Sequence, residues 1–298
     1  MSHVFCVATA SLDNSQTMPL LNMLLMFEPK PSPPKMSPMS DASGANVRKP
    51  LILHVCNDDG IFSPGIKALA EVADEFGDVE IVAPDRQQSA VGHAVTINVP
   101  LRTRAFQVDH RFHGQACSGT PADCIKLAHH ELLRQKPDLV VSGINHGSNA
   151  GINLIYSGTV SAATEGTIMG TPSIAVSCLD FDEEADLTGA QDAARKVIGY
   201  VLNHGLPPGV TLNLNAPAGP LKGVKWARQA NSRYVEEFDG RRDPANRDYY
   251  WMTGRLELLD HSEDTDIKVL NDGYASLTPI QYDLTAYRLL EDVKAIEL

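Results

Sequence analysis

The chain has 298 residues, of which 43% are hydrophobic, so it is long enough to bury the core of a large globular domain. Its formal net charge of -12 argues against binding to polymeric nucleic acid, which requires a basic surface. The five cysteines are an odd number and include no Cys-x-x-Cys pair. This pattern argues against a zinc cluster and favours a reducing, cytoplasmic compartment over a disulfide scaffold.

The first 49 residues are rich in proline and serine and differ from the rest of the chain. Their apolar stretch, residues 18–27, contains Pro19 and Asn22 and is shorter than the roughly 20 residues that a membrane span needs. No basic region precedes it, so it is not a typical signal peptide. We predict that residues 1–49 are a disordered extension, or that translation starts at Met36 or Met39. Residues 50–298 are predicted to form one domain without membrane association.

From residue 50 onward, strand-like and helix-like patterns alternate. Three helices are predicted to begin at hydroxyl-bearing caps: Ser63 and Thr120 are each followed by proline, and Ser157 is followed by a run of small residues. A fourth, amphipathic helix covers residues 188–203 and ends at Gly205. Five short apolar runs are predicted to be strands, namely residues 51–55, 79–83, 138–142, 172–177 and 210–214.

This alternation predicts an α/β fold with a Rossmann-like, doubly wound and mainly parallel sheet. No Gly-x-Gly-x-x-Gly follows the first strand and no Walker A motif occurs, so neither a dinucleotide nor P-loop chemistry is expected. A C-terminal arm over about residues 222–282 is predicted to contain a β-hairpin with strands at 233–238 and 248–252, because aromatic residues favour strands. The sequence leaves two alternatives open: the arm packs against another subunit, or it packs on its own domain. Residues 285–296 are predicted to form a closing helix.

The motif Asn57-Asp58-Asp59-Gly60 directly follows the first predicted strand and Cys56. In open α/β sheets, ligands bind at the carboxyl ends of the strands. Two adjacent carboxylates repel each other, and no basic residue is close in the sequence, so a hard divalent cation is the natural partner. The alternative is a solvent-exposed turn, since Asp and Gly are common turn formers, and for an isolated motif that interpretation would be the better one.

Further polar residues follow other predicted strands. Ser89 lies in the loop after the second strand, Asn145 lies in the loop after the third, and Ser157, Gly158 and Thr159 open the helix behind it. Because the carboxyl ends of parallel strands meet at one edge of a sheet, we expect these residues to gather beside the acidic motif. No Gly-x-Ser-x-Gly motif occurs and no Asp-x-Asp motif follows the first strand, so a covalent nucleophile is not expected.

With these motifs, the chain resembles the SurE family of survival nucleotidases. The resemblance covers about residues 50–282, and its motifs occur in order at plausible spacing, which makes it specific. The matching segments are residues 57–61, 63–66, 82–86, 89–93, 119–124, 142–145, 156–159 and 172–177, followed by 242–244, 249–251, 265–266 and 273–274.

The resemblance implies a divalent-metal-dependent phosphomonoesterase, a phosphoric monoester hydrolase acting on nucleoside 5′- or 3′-monophosphates. The family's metal ligands carry over onto Asp58, Asp59, Ser89 and Asn145, which would hold one Mg²⁺ or Mn²⁺ per subunit. Two charged and two neutral oxygens suit such a cation and leave positions for water and phosphate. The resemblance also implies a homodimer or homotetramer formed through the C-terminal arm.

The expected catalytic residues are Asp58 and Asp59, beside a cation that binds phosphate and lowers the pKa of the attacking water. The sequence does not divide the work between the two carboxylates. Residues 157–159, at a helix start, are expected to offer N–H groups and hydroxyls to the phosphate, and Asn57 and Gly92 complete the set of expected phosphate contacts.

Each of these residues also has a structural interpretation. Asn145 is compatible with capping a turn, and residues 157–159 with an ordinary helix cap. His93 and His146 lie in the site loops and either donate to the phosphate or leaving group, or make structural hydrogen bonds. Three functions are therefore considered: a nucleotidase, a broader phosphohydrolase acting on polyphosphate or small phosphate esters, and a nucleotide-binding stress protein with little turnover. The intact ligand set favours an enzyme.

Overall fold

Strands and helices alternate over most of the chain in the computed structural model, which describes residues 52–294 and residue 296. The extension expected at residues 1–49 lies outside the described residues. The strands are β1 (Ile52–Cys56), β2 (Asp78–Pro84), β3 (Thr103–Gln107), β4 (His113–Cys117), β5 (Leu139–His146), β6 (Ser173–Cys178), β7 (Val210–Ala216), β8 (Val224–Trp226), β9 (Ser232–Val235), β10 (Phe238–Arg242), β11 (Asp248–Met252), β12 (Arg255–Leu258) and β13 (Ala275–Gln281). The α-helices are α1 (Pro64–Ala73), α2 (Pro121–Leu127), α3 (Asn153–Tyr156), α4 (Gly158–Ile168), α5 (Thr188–His204), α6 (Asp266–Asn271) and α7 (Tyr287–Val293).

Within residues 52–294, nine strands form one sheet in the order β3-β4-β2-β1-β5-β6-β7-β13-β8. The six strands from β4 to β7 in that order are mutually parallel, whereas β3 and β13 run antiparallel to their neighbours β4 and β7. The doubly wound, mainly parallel sheet predicted from the sequence is therefore confirmed. In the sheet, β2 lies on one side of β1 and β5 lies on the other side. The strand order therefore reverses between β1 and β5, and the carboxyl ends of these two strands flank that point.

The three helices predicted from hydroxyl caps begin where the sequence placed them. The side chain of Ser63 accepts from the N–H of Ile66 at 3.3 Å, and Ser157 caps α4 in the same way. Thr120 and Asp123 form a reciprocal capping box at the start of α2. α2 is only seven residues long, because the chain changes into a π-helical turn over Ala128–Leu132.

Helices cover both faces of the sheet. α1 packs beside α5 on one face, and α2 packs beside α4 on the other. The central strand β6 is buried at all six positions, as expected for a parallel strand that is covered on both sides. The small residues of α4 permit close approach to the sheet: a Cβ on Gly166 would lie 2.6 Å from Ser173 Oγ and 2.9 Å from Val140 Cγ2.

The C-terminal region differs from the prediction in detail. The expected strand at 233–238 is divided into β9 and β10, because Glu236 adopts a positive φ of 58°. β9 pairs with β12 and β10 pairs with β11, and we call residues 232–258 the hairpin arm. β8 and β13, which the sequence did not predict, join the main sheet. Among the helices of residues 52–294, none combines the length and apolar character required to cross a bilayer.

Candidate active site

A cavity of about 1100 Å³ opens at the carboxyl ends of β1 and β5. We call the residues that reach it from the ends of these strands, from the loop after β2 and from the start of α4 the strand-end wall. Five of the residues expected from the sequence belong to this wall: Asp58, Asp59, Ser89, Asn145 and Ser157. The structure therefore brings together residues that lie up to 99 positions apart in the chain.

Asp58 is almost completely buried, with 3% of its surface exposed. The hydroxyl of Thr159 donates to Asp58 Oδ1, and the backbone oxygen of Asp58 accepts from the N–H of Gln88 at 2.7 Å. Burial raises the pKa of Asp58 to about 6, the Thr159 hydrogen bond opposes that shift, and the negative charge of Asp59 adds to it. A carboxylate in this environment is stabilised by any cation that binds beside it.

Asp59 is connected to the end of β5. Its Oδ2 atom accepts from the backbone N–H of His146 at 3.2 Å and lies 3.5 Å from His146 Nδ1. The hydrogen bond to Asp59 and the negative charge of this carboxylate raise the pKa of His146. The backbone of His146 thus holds Asp59 in the cavity wall, and the imidazole, whose role the sequence left open, lies beside the same carboxylate oxygen.

Asn145 reaches the cavity through an irregularity in β5. The sequence placed it in a loop after the strand, but β5 continues to His146, and its register with β6 shifts between Ser142 and Asn145. Such bulges redirect side chains near functional sites. The bulge requires Gly143, whose φ is 138° and whose Cβ would lie 2.2 Å from the backbone oxygen of Val176.

The amide of Asn145 has a fixed orientation, because its Nδ2 atom donates to the backbone oxygen of Gly147 at 2.7 Å. The amide oxygen is therefore the group left to bind a ligand. Ser89 is exposed on the same cavity, and its hydroxyl accepts from Gln87 Nε2 at 2.9 Å. This weak surface contact leaves the Ser89 hydroxyl free to change partners.

Among the expected phosphate contacts, Ser157 lines the cavity and caps α4 by accepting from the N–H of Val160 at 3.1 Å. Thr159 is fully buried and its hydroxyl is engaged by Asp58. Gly158 is the residue that lets α4 approach this carboxylate, because a Cβ there would lie 2.8 Å from Asp58 Cβ. A direct phosphate contact from these three residues stays a prediction.

The other two expected phosphate contacts shape the loops around the cavity. Asn57 is fully buried, and its Nδ2 atom donates to Gly60 O at 3.0 Å and to Ser63 Oγ at 2.7 Å. Gly92 has a φ of 58°, and its N–H donates to the backbone oxygen of Tyr156 at 3.0 Å. Neither residue lines the cavity. Phosphate contact by either one stays a prediction.

His93 is engaged away from the cavity. Its Nε2 atom lies 2.8 Å from Glu165 Oε2, and Lys126 Nζ lies 2.6 Å from the other oxygen of the same carboxylate. Burial alone would raise the pKa of Glu165, but the hydrogen bonds and charges of His93 and Lys126 outweigh it and lower the pKa. This buried carboxylate joins the loop that carries Ser89 to α4 and α2.

The donor set fits a hard divalent cation. Two carboxylates, one amide oxygen and one hydroxyl share the cavity. Within residues 52–294, no three His, Cys, Asp or Glu side chains cluster as a metal site, so a cation here would rely on neutral oxygens as well as on the two carboxylates. The buried Oδ1 atom of Asn57 has no hydrogen-bond partner among the described residues, which leaves a further oxygen beside the motif.

Sequence reasoning missed the second part of the lining. We call it the outer wall; it comes from the loop after β6 and from the hairpin arm. No local motif identifies these residues, because they reach the cavity only through tertiary contacts such as the hydrogen bond from Tyr234 OH to Asn153 Oδ1 at 2.7 Å. The outer wall consists of Phe181, Glu183, Ser232, Arg233, Tyr234, Glu237, Met252 and Thr253.

Comparison with known proteins agrees with the motifs. The family model described as Survival protein SurE matches residues 52–236. A relative named 5'-nucleotidase SurE from Cytophaga hutchinsonii is 52% identical over 246 residues, which are 81% of this chain and 95% of that protein. A relative with the same name from Christiangramia forsetii is 49% identical over 258 residues, 85% of this chain and 99% of that protein. The crystal structure of the Sure protein from Aquifex aeolicus has a TM-score of 0.71 and 40% identity, and the match covers 82% of this chain and 98% of that one.

Proposed function

Because this chain belongs to the SurE family, we propose that it is a 5′-nucleotidase, which hydrolyses nucleoside 5′-monophosphates to nucleoside and phosphate. The observation that carries the proposal is the shared cavity of Asp58, Asp59, Ser89 and Asn145 at the carboxyl ends of β1 and β5. The names of the relatives supply the reaction, and the cavity supplies the place where the reaction would occur.

The proposed cofactor is one Mg²⁺ or Mn²⁺ per subunit, held by the oxygens of Asp58, Asp59, Ser89 and Asn145. When bound, such a cation polarises a phosphate oxygen and lowers the pKa of a bound water. The protein's contribution is to hold the donors in place before the substrate arrives. Thr159 fixes Asp58, and the backbone of His146 fixes Asp59, so neither carboxylate has to be ordered during the reaction.

The start of α4 is the proposed phosphate position. α4 is an 11-residue helix, and its cap Ser157 lies on the cavity wall. The positive end of a helix dipole favours phosphate oxygens at this place. Without a cation the two carboxylates would repel the phosphate. The helix start and the cation would therefore both stabilise the negative charge of the phosphate.

The proposed oligomeric state rests on exposed side chains of the hairpin arm, and the proposed compartment rests on the free cysteines. The hairpin arm exposes aromatic and apolar side chains, among them Phe238, Tyr250, Trp251 and Met252, which supports association of copies into a homodimer or homotetramer. Cys56, Cys117, Cys124 and Cys178 are free and buried, which supports a reducing cytoplasm.

The proposal also has a broader form, in which the same site hydrolyses nucleoside 3′-monophosphates and other small phosphate esters.

The test is phosphate release from a panel of 5′- and 3′-nucleoside monophosphates, using metal-stripped protein with Mg²⁺ or Mn²⁺ added back. We expect release that depends on the metal and that falls at least ~100-fold in Asp58→Asn, because that variant loses a charged donor. The matched control is Asp78→Asn, which changes an exposed carboxylate at the amino end of β2 and is expected to keep full activity. Folded protein without release from any nucleotide would contradict the proposal, and metal-dependent nucleotide binding without turnover would favour the binding-protein function.

A further inference from the structure

One large aromatic side chain of the outer wall is exposed in an unusual way. Phe181, in the loop between β6 and α5, has 78% of its surface exposed and lines the cavity. Because the ring lies on the lining of the cavity and most of its surface is uncovered, it is available to a ligand bound there. Its neighbours Asp180, Asp182 and Glu183 are charged and exposed, so Phe181 is the apolar surface that this loop offers.

The loop that carries Phe181 is firmly attached to the strand-end wall. The N–H of Gly147 donates to Cys178 O at 2.8 Å and to Asp180 O at 3.0 Å. The ring rests on Gly147, since a Cβ on this glycine would lie 2.4 Å from Phe181 Cε1. Gly147 therefore holds the backbone just before Phe181 and also lies against its ring.

The same glycine connects the ring to the proposed cation site. The backbone oxygen of Gly147 accepts a hydrogen bond from Nδ2 of Asn145, whose amide oxygen is the neutral ligand proposed on the strand-end wall. A phosphate ester bound at Asn145 would share the cavity with Phe181, because both residues line it and both contact Gly147. At about 1100 Å³ the cavity is larger than a phosphate needs, and pockets of 300–1,000 Å³ accommodate whole small molecules.

We propose that Phe181 is the surface on which the nucleobase of the substrate stacks. The cavity would then recognise nucleoside monophosphates by the base as well as by the phosphate, and an aromatic platform of this kind accepts any base because every base has a π-face. The inference rests on the proposed function, which supplies the phosphate position. Phe62 is the other exposed phenylalanine on the cavity lining that residues 52–294 form, but its ring is already in edge contact with Phe106, with centroids 4.6 Å apart.

The test compares a nucleotide with the same molecule lacking its base. We expect Phe181→Ala to lower kcat/KM for AMP, GMP, CMP and UMP by roughly tenfold, mainly through KM, and to leave kcat/KM for ribose 5-phosphate unchanged. Phe181→Trp keeps an aromatic face and is expected to retain activity on all five substrates. Phe62→Ala is the matched control and is expected to leave the ratio between nucleotides and ribose 5-phosphate near the wild-type value.

The outcomes separate this inference from the proposed function. An equal loss on ribose 5-phosphate and nucleotides in Phe181→Ala would overturn the stacking role, because it would indicate damage to the loop or to Asn145. Unchanged kcat/KM for nucleotides in Phe181→Ala would also overturn the stacking role. A loss specific to nucleotides that occurred in Phe62→Ala instead of Phe181→Ala would overturn it too. Wild-type protein that releases phosphate from neither substrate type would contradict the proposed function instead.

A binding measurement tests the platform without turnover and without metal. Saturation-transfer NMR with adenosine and metal-stripped protein is expected to show transfer to the adenine H2 and H8 protons in the wild type and in Phe181→Trp. The transfer is expected to be lost in Phe181→Ala. Equal transfer in the wild type and Phe181→Ala would overturn the proposal even if the enzyme were inactive.

Discussion

The strand-end wall and the outer wall of the cavity are built from different kinds of structure. Asp58, Asp59 and Asn145 project from strand ends of the parallel sheet. Asp58 and Asp59 each accept a hydrogen bond from another element, and Asn145 donates one to the backbone oxygen of Gly147. Phe181 and Met252 of the outer wall come from a loop and a two-stranded arm, and both side chains are mostly exposed. Asp58, Asp59 and Asn145 are thus hydrogen-bonded in place, whereas the side chains proposed for recognition are accessible.

This difference follows from what each wall is proposed to do. Carboxylates around a cation need positions fixed to a fraction of an ångström, which a sheet edge supplies. A surface that accepts several bases needs area rather than directional hydrogen bonds, and exposed aromatic and apolar side chains supply it. Changes in the strand-end wall should therefore affect metal binding, and changes in the outer wall should affect KM or local stability.

The largest expected effect concerns the hydroxyl that holds Asp58. Thr159→Val removes the donor to Asp58 Oδ1 while keeping the size and β-branching of the side chain. We expect Mn²⁺ affinity, measured by titration calorimetry, to fall about 10–100-fold, as for other residues that orient metal ligands. Thr164→Val, five residues further along α4, is the control and should bind Mn²⁺ like the wild type. Unaltered affinity in Thr159→Val would show that Asp58 needs no orientation.

The next prediction concerns the strand that leads to Asp58. Burial, assisted by the nearby His129, lowers the pKa of His54 in β1 from its ordinary value of 6.5 to about 3. The unfolded chain therefore binds a proton below pH 6.5 that the folded chain refuses, so this contribution to stability is complete above pH 6.5 and is lost as the pH falls toward 3. Between pH 7 and pH 5 the loss amounts to about 2 kcal/mol.

The measurement is the free energy of unfolding in denaturant at a series of pH values for the wild type and for His54→Leu. The difference between the two curves isolates His54, because the other titratable groups are present in both proteins. We expect the variant to lose less stability than the wild type on going from pH 7 to pH 5. Parallel curves over this range would mean that His54 becomes protonated without cost in the folded protein.

The smallest expected effect concerns the attachment of the outer wall. Tyr234→Phe removes the hydrogen bond to Asn153 Oδ1, a partly buried contact that joins β9 to α3. We expect a loss of about 1 kcal/mol in the free energy of unfolding, and an affinity for Mn²⁺ that stays at the wild-type value. Denaturant unfolding and calorimetry measure the two quantities. A fall in Mn²⁺ affinity would contradict the separation of the two walls.

Much of the strand-end wall was predictable because its signals are local. Ser63, Thr120 and Ser157 cap the helices that the sequence assigned to them, since a cap requires only a side chain and the next turn of backbone. Asp58, Asp59, Ser89 and Asn145 reach one cavity because parallel strands bring their carboxyl ends to the same edge. The prediction that these four residues bind a metal is still to be tested.

The errors also have physical reasons. The third predicted strand was ended at residue 142 because Gly143 interrupts the apolar run, whereas the structure uses this glycine for a bulge and continues to His146. The hairpin strand at 233–238 was predicted to be continuous because no composition signal marks the positive φ of Glu236. β13 carries Pro279 and was not predicted, although its position next to β7 completes the sheet.

The sequence by itself determined the alternating α/β order, the helix starts and the family, and it named five residues of the strand-end wall, because each of these depends on periodicity, caps or motifs that are local in the chain. Only the tertiary structure decided that Thr159 holds Asp58, that His146 holds Asp59, that His93 is engaged by Glu165 and that Phe181 lies exposed against Gly147. These contacts join residues from separate elements of the chain. Their partners are selected by how the sheet and its helices pack, and no local pattern encodes them.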